Sequence, residues 1–299
     1  MAESSIPVDL FNPGQVFACI GLAEAAQVLL GEVAGVFDWS DSEQTLFRLR
    51  ASGDDEPVRH VMSFLDRAQA RAAAPKGSAT LTKWTPSWGP TPLVIERAAG
   101  YPFANPTSPA TLICQLTDGQ FILTLDHWGD STERDNVKFW AGAGGYPGAG
   151  LARDALALVR GNAAAAADDP FSLSGPQSSS FRLDWRRDYI PIHAGFSLNA
   201  HGGNIAALGF PLVELLGALG LTHARPKRAD RRSKLAYAYA VPGRSHQDDS
   251  TWLPLSFLRA ALGTAPLPFS MRIFSLLLEW PGKEGQARSI TTVTEETRS

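Results

Sequence analysis

Cysteine is nearly missing from this chain: two residues, Cys19 and Cys114, in 299. That is too few for a disulfide framework or a four-thiolate zinc site. Both sit in apolar runs, so buried, reduced thiols are expected. Positive charge is not in excess either. Lys and Arg total 27 against 30 Asp and Glu, a formal net charge of −3, which excludes a uniformly basic nucleic-acid coat and confines any such contact to local patches. No stretch reaches the ~18 uninterrupted apolar residues of a membrane helix. Residues 1–5, Met-Ala-Glu-Ser-Ser, carry no basic residue ahead of an apolar core, as a secretory signal would. A cytoplasmic protein with no membrane partner is the expectation. Walker A, H-E-x-x-H, C-x-x-C and G-x-S-x-G are all missing, so no cofactor, no metal and no catalytic residue is expected. No repeat of 20–50 residues is visible.

What is present is a core-forming composition, 44% hydrophobic with eight Trp. A folded chain of this length buries roughly 75% of its extended surface and needs no staple. Residues 6–10 read as a strand. Asn12 and Pro13 then suit the start of a helix over 14–30, with apolar residues at Val16, Phe17, Ile20, Ala23 and Ala26. Residues 35–39 and 45–50 form a hairpin around a polar turn, 57–73 a helix, and 80–84 and 92–98 strands. That order, strand-helix-strand-strand-helix-strand, matches a ferredoxin-like (RRM-like) unit.

A hairpin follows at 110–115 and 120–126 across Thr117-Asp-Gly, then a helix at 148–160. Residues 163–167 with Asp168-Asp-Pro suit a linker, and 172–180 a loop rich in Ser and Gly. Further on come a strand at 180–186, a helix at 209–221, a strand at 234–242 and a helix at 252–262. Residues 269–280 are a strand pairing with 288–295, or else a buried helix; the alternation of Met271, Ile273, Ser275 and Leu277 favours the strand. The fold class is α+β, mixed helices with a mostly antiparallel sheet. The domain organisation is 1–167 and 168–299, or one continuous domain.

Residues 224–234, Ala-Arg-Pro-Lys-Arg-Ala-Asp-Arg-Arg-Ser-Lys, place Arg225, Lys227, Arg228, Arg231, Arg232 and Lys234 against Asp230 alone. Phosphate binding needs such closely spaced cationic donors, and Arg adds bidentate geometry. A solvated loop complementing a helix C-terminus is the plainer reading. The Gly-rich run after Phe139-Trp precedes a helix and can present N–H groups to phosphate, with Lys138 and Trp140 suited to phosphate contact and stacking. In Phe181-Arg-Leu-Asp-Trp-Arg-Arg-Asp, alternation puts Arg182 and Arg186 on an outer face, with Arg187 adjacent as a further phosphate contact. Trp84-Thr-Pro-Ser-Trp-Gly-Pro reads as a rigid packing corner or a wedge against a partner.

The string Val8-Asp-Leu-Phe-Asn-Pro-Gly-Gln-Val-Phe-Ala-Cys-Ile-Gly-Leu-Ala-Glu-Ala-Ala, followed by Gly35-Val-Phe and a strand, resembles the start of a CRISPR-associated family. That family is a subunit of the type I-G (formerly I-U) Cascade effector complex, in the large-subunit position. The resemblance is densest over 6–53 and returns weakly at 138–142 and 181–188. It implies a non-catalytic subunit of a guide-RNA surveillance complex in antiviral defence. Its partners would be crRNA, target DNA at the PAM-side duplex, the backbone and crRNA-processing subunits, and a recruited helicase-nuclease. The rival reading from the residues is a metal-dependent nuclease or phosphohydrolase built on Asp126, His127 and Asp130, in Leu125-Asp-His-Trp-Gly-Asp.

Overall fold

The computed structural model describes residues 1–96, 108–128, 146–177, 179–187, 208–230, 232–233, 235–246, 251–279 and 288–296. They form strands β1 (Ala2–Pro7), β2 (Val33–Asp38), β3 (Leu46–Ala51), β4 (Gln69–Pro75), β5 (Leu93–Ile95), β6 (Ile113–Thr117), β7 (Ile122–Leu125), β8 (Gly175–Pro176), β9 (Leu208–Gly209), β10 (Lys227–Arg228), β11 (Ala236–Arg244), β12 (Leu253–Pro254), β13 (Ser270–Glu279) and β14 (Ser289–Glu295). The helices are α1 (Pro13–Leu30), α2 (Pro57–Arg67), α3 (Gly148–Val159), α4 (Pro211–His223) and α5 (Leu255–Leu262). The class is α+β with mostly antiparallel sheets.

The large sheet runs β1-β3-β2-β11-β13-β14, with β10 beside β11 and β12 beside β2. Strands β2 and β11 pair in parallel at Phe37–Gly243 and Asp38–Arg244, with β12 beside β2 and β10 beside β11 farther along. Strand alternation sorts the side chains into two faces. One face carries Phe37, Phe47, Leu49, Tyr237, Tyr239 and Phe274, all buried. It rests on helices: Tyr239 meets Phe17 of α1 edge-on, and Leu258 of α5 lies against Gly35. The other face carries Arg48 and Arg50 on β3, Asp38 on β2, the alanines of β11, and Ile273, Ser275 and Leu277 on β13. Of these Leu277 is 37% exposed.

A second sheet, β5-β4-β6-β7, packs on α3 and α4. Helix α1 is therefore sandwiched between the large sheet and α4. It is long and apolar enough to span a membrane by composition alone, yet nearly every residue along it is enclosed by protein. At the crossing with α4 the backbones touch: a Cβ on Gly21 would fall on the Leu216 carbonyl oxygen, and one on Gly220 on the Phe17 carbonyl oxygen. Only glycine admits so close an approach.

Several expectations need correction. Helix α2 stops at Arg67, where Ala68 turns extended, and 69–75 is a strand that pairs with β6, not the helix end expected to 73. Residues 81–83 make a single 3-10 turn in place of a strand. The ferredoxin-like unit is half formed: β1 and β2 flank β3, with α1 as crossover, but β4 leaves for the second sheet instead of closing on β1. The strand expected at 180–186 is irregular chain ending in a turn at Trp185–Arg187. Glu214 explains this, since its carboxylate accepts the N–H groups of Leu183 and Asp184 that a neighbouring strand would otherwise take. The loop at 172–180 contains β8, which pairs with β9. Nor does residue 167 divide the packing, because strands from both sides of it share the large sheet and one hydrophobic core.

The hairpin β6–β7, helices α3 and α4, and the pair β13–β14 lie where the sequence puts them. Both cysteines are buried thiols; burial pushes Cys114 up to about 12.

Candidate nucleic-acid interface

The basic segment starts where α4 ends. Proline at 226 and the lost periodicity end the helix, and the chain then runs into β10 instead of a free loop. Pairing of Lys227 with Ala238 puts the lysine on the open face of the large sheet, where it is exposed. Arg228, opposite Tyr237, points to the helical side and is half-buried. Asp230 accepts the backbone N–H of Arg232 at 3.1 Å, which turns the chain and leaves Arg232 exposed. Arg225 is half-buried and faces Asp126 and His127. The segment thus divides: Lys227 and Arg232 reach solvent, and Arg225 and Arg228 turn partly inward. Arg231 and Lys234 lie outside the described residues, as do Lys138, Trp140 and Asp130 and the Gly-rich run at 142–145.

Arg186, expected as a phosphate contact, is committed elsewhere. Its guanidinium grips the fully buried Asp184, donates to the Phe171 carbonyl at 3.0 Å, and lies 3.5 Å from the centre of the Phe210 ring. Asp184 also accepts from Asn12 Nδ2 at 3.1 Å, so the Asn12 side chain serves this network and not the first turn of α1. The network pins residues 181–187 across the N-terminal ends of α1 and α4. The cleft of about 290 Å³ beside Arg186 is lined by Asp9, Glu43 and Asp169, an acidic wall that repels phosphate. Arg182 adopts a left-handed backbone, φ 60°, on irregular chain, so the alternation expected of it is lost. Arg187 ends the turn.

The Asp126–His127 pair does not form an open acid–base or metal site. His127 has no solvent exposure; its ring packs edge-on against Trp128 and Phe181, 5.0 and 5.9 Å between centres. Among the described residues the group facing its ring nitrogens is the Ala218 carbonyl, which already accepts from Thr222 Oγ1 at 3.2 Å. Burial, with Arg225 adding, drops its pKa to about 3. Asp126 is half-buried; burial pushes its pKa up against the opposing pull of His223, Arg225 and Thr222. Among the described residues no three His, Cys, Asp or Glu side chains gather as metal ligands.

A cluster that sequence reading missed lies on the open sheet face. Arg48 and Arg50, two apart on β3, both sit over the Trp252 ring, 5.6 and 4.8 Å from its centre. Arg48 also reaches Asp38 and Glu3, each at 3.6 Å, and Asp38 in turn binds Arg244 at 2.9 Å. The alternation of Arg48 and Arg50 with the buried Phe47 and Leu49 is a visible sign of an arginine-bearing outer face; the tryptophan about 200 residues away is not. Trp84 and Trp88 meet edge-on, with Trp84 Nε1 donating to the Gly89 carbonyl, so this segment is the packing corner. Searches with the sequence and the structure find no matching protein-family model, no matching curated protein and no matching solved structure.

Proposed function

We propose that this chain is a non-catalytic, nucleic-acid-binding subunit of a type I-G CRISPR Cascade complex, meeting crRNA or target DNA through the basic segment 225–234. The observation that carries the nucleic-acid contact is the placement of Lys227 and Arg232: both exposed, Lys227 on β10 and Arg232 in the turn after it, in a chain whose overall charge is negative. Cationic groups held at an exposed edge can neutralise phosphates without a basic surface overall. Complex membership is supported by the resemblance over 6–53, which runs from the end of β1 through α1, β2 and β3. The non-catalytic reading is supported by the sealing of His127 away from any substrate. In this role base pairing by the guide supplies sequence specificity, and the chain supplies backbone contacts and a docking surface for the neighbouring backbone and crRNA-processing subunits. Cutting falls to a recruited helicase-nuclease.

The test is co-expression with the neighbouring operon products and a CRISPR array, followed by affinity purification through this chain. A stoichiometric ribonucleoprotein containing a processed guide is the expected product. A clean monomer without RNA would overturn Cascade membership. In the recovered complex, Lys227→Glu with Arg232→Glu should weaken nucleic-acid binding and flatten its salt dependence, by about 0.9 in log–log slope per lost duplex phosphate contact.

A further inference from the structure

We propose that the Trp252 end of the arginine-bearing face of the large sheet is a binding surface for single-stranded nucleic acid, with Trp252 stacking on a base and Arg50 holding an adjoining phosphate. The proposal rests on the nucleic-acid part of the reading above and is independent of Cascade membership.

The helices cover one face of this sheet, and the face bearing Arg48, Arg50, Lys227 and Arg244 is the other; it is exposed toward its edges and closed at its centre, where Val36, Ala240 and Arg244 are buried. Around Trp252 the cations Arg48, Arg50 and the buried Arg244 stand against Glu3 and Asp38, so this end of the face is net positive in a net negative chain, while Glu279 and Glu296 balance Lys227 toward β13 and β14. Asp38 is shared between Arg48 and Arg244, and Glu3 reaches Arg48. Arg50 has no carboxylate partner among the described residues; its Nε is buried and unpartnered, and its guanidinium rests on the Trp252 ring.

An indole laid on two guanidinium groups is held in place by cation–π attraction. Half-buried, it keeps part of its surface open. A base stacking on the side of the indole away from the arginines is held by the ring, and its neighbouring phosphate falls within reach of Arg50. Every base offers such a face only when it is unpaired, which selects single strands over duplex. Lys227 lies on the same face about 20 Å from Arg244 along β11, but Ala240 and Pro242 between them are buried, as is Arg244 itself, so it is a separate cationic point and not part of the Trp252 site.

The test uses the purified full chain and fluorescein-labelled 20-nucleotide oligo(U) and oligo(dT), with a duplex of the same length as comparison, read by anisotropy over a salt series. Wild type should prefer the single strands. Trp252→Ala should weaken that binding by about 5- to 150-fold with little change in salt slope. Trp252→Phe, which keeps an aromatic ring, should retain most of the affinity and shows that the loss is not misfolding. Arg50→Gln should lower the slope by about 0.7.

Trp252→Ala binding as well as wild type, while Lys227→Glu with Arg232→Glu loses affinity, overturns this surface and leaves the basic segment standing. Equal binding by all variants, duplex preference, or no binding by wild type also overturns it. Failure of the guide-RNA purification with the anisotropy intact removes Cascade membership alone.

Discussion

His127 offers the sharpest test of how this molecule is built, because its burial bears on both stability and function. The ring is sealed between Trp128 and Phe181 and its pKa is lowered to about 3, chiefly by loss of solvation. In the unfolded chain an imidazole titrates near 6.5. As pH falls below that value the unfolded state takes up a proton that the folded state refuses. The stability held above pH 6.5 is therefore lost progressively as pH falls toward the folded value. Between pH 7.5 and pH 5 the loss from this one group comes to about 2 kcal/mol. Asp126, shifted upward by burial, pulls the opposite way, but it is common to wild type and a His127→Leu variant, so the difference between the two isolates the imidazole. Urea midpoints followed by tryptophan fluorescence at pH 7.5, 6.5, 5.5 and 5 give both curves. Wild type should fall more steeply than the variant by that amount. Parallel curves would mean that the folded protein protonates His127 freely, so that the ring is open to water; the sealed-core account would fail and a hydrolytic role for the Asp126–His127 pair would regain its footing.

Gly21→Ala should destabilise by about 2 kcal/mol despite the better helix propensity of alanine, because the new Cβ meets the Leu216 carbonyl and forces α1 from α4. Gly220→Ala strains the same crossing, so in a double-mutant cycle by urea denaturation the pair should cost less than the sum, and a stabilised single variant would refute the close-contact account. Asp184→Ala removes the carboxylate from the network of Asn12 and Arg186 and should cost about 2 kcal/mol, discounted from a fully buried pair because Arg186 is partly exposed; an unchanged urea midpoint would mean that the network holds nothing together.

The parts of this fold that the sequence shows are those whose determinants are local. Thr117-Asp-Gly turns β6 into β7 because the Asp118 carboxylate accepts the N–H groups of Gln120 and Phe121 and Gly119 takes φ 96°, all within four residues. The pair β13–β14 shows in its two-residue alternation. The misread parts are settled from outside the window. Gln69–Pro75 is alanine-rich and reads as helix by propensity, but as a strand its small side chains admit α3, whose own Gly148, Ala149, Ala152 and Ala155 are buried. Residues 181–187 alternate like a strand, but their backbone donors go to Glu214, thirty residues later.

The same distinction governs the candidate site. A basic run is a one-dimensional signal, and charge counting finds residues 225–234 directly; which of those side chains reach solvent depends on the pairing of β10 with β11. Arg186 shows how charge counting fails: a guanidinium in a basic dipeptide looks available until Asp184, two residues before it, takes the charge into a buried pair. Arg50 is the opposite case. Nothing in Leu-Phe-Arg-Leu-Arg separates it from a solvated strand arginine, and its importance comes from a tryptophan on β12's approach that only the folded sheet brings over it. Since β12 pairs with β2 and β3 lies on β2's other side, the contact needs the whole β3-β2-β12 arrangement, so Arg50 and Trp252 report on tertiary order as well as on ligand. An arginine whose partner is a neutral ring keeps its full charge for a ligand, whereas one paired with a carboxylate has already given it up. On that ground, in the proposed single-strand site Arg50, more than Arg48, is the arginine left to meet a phosphate.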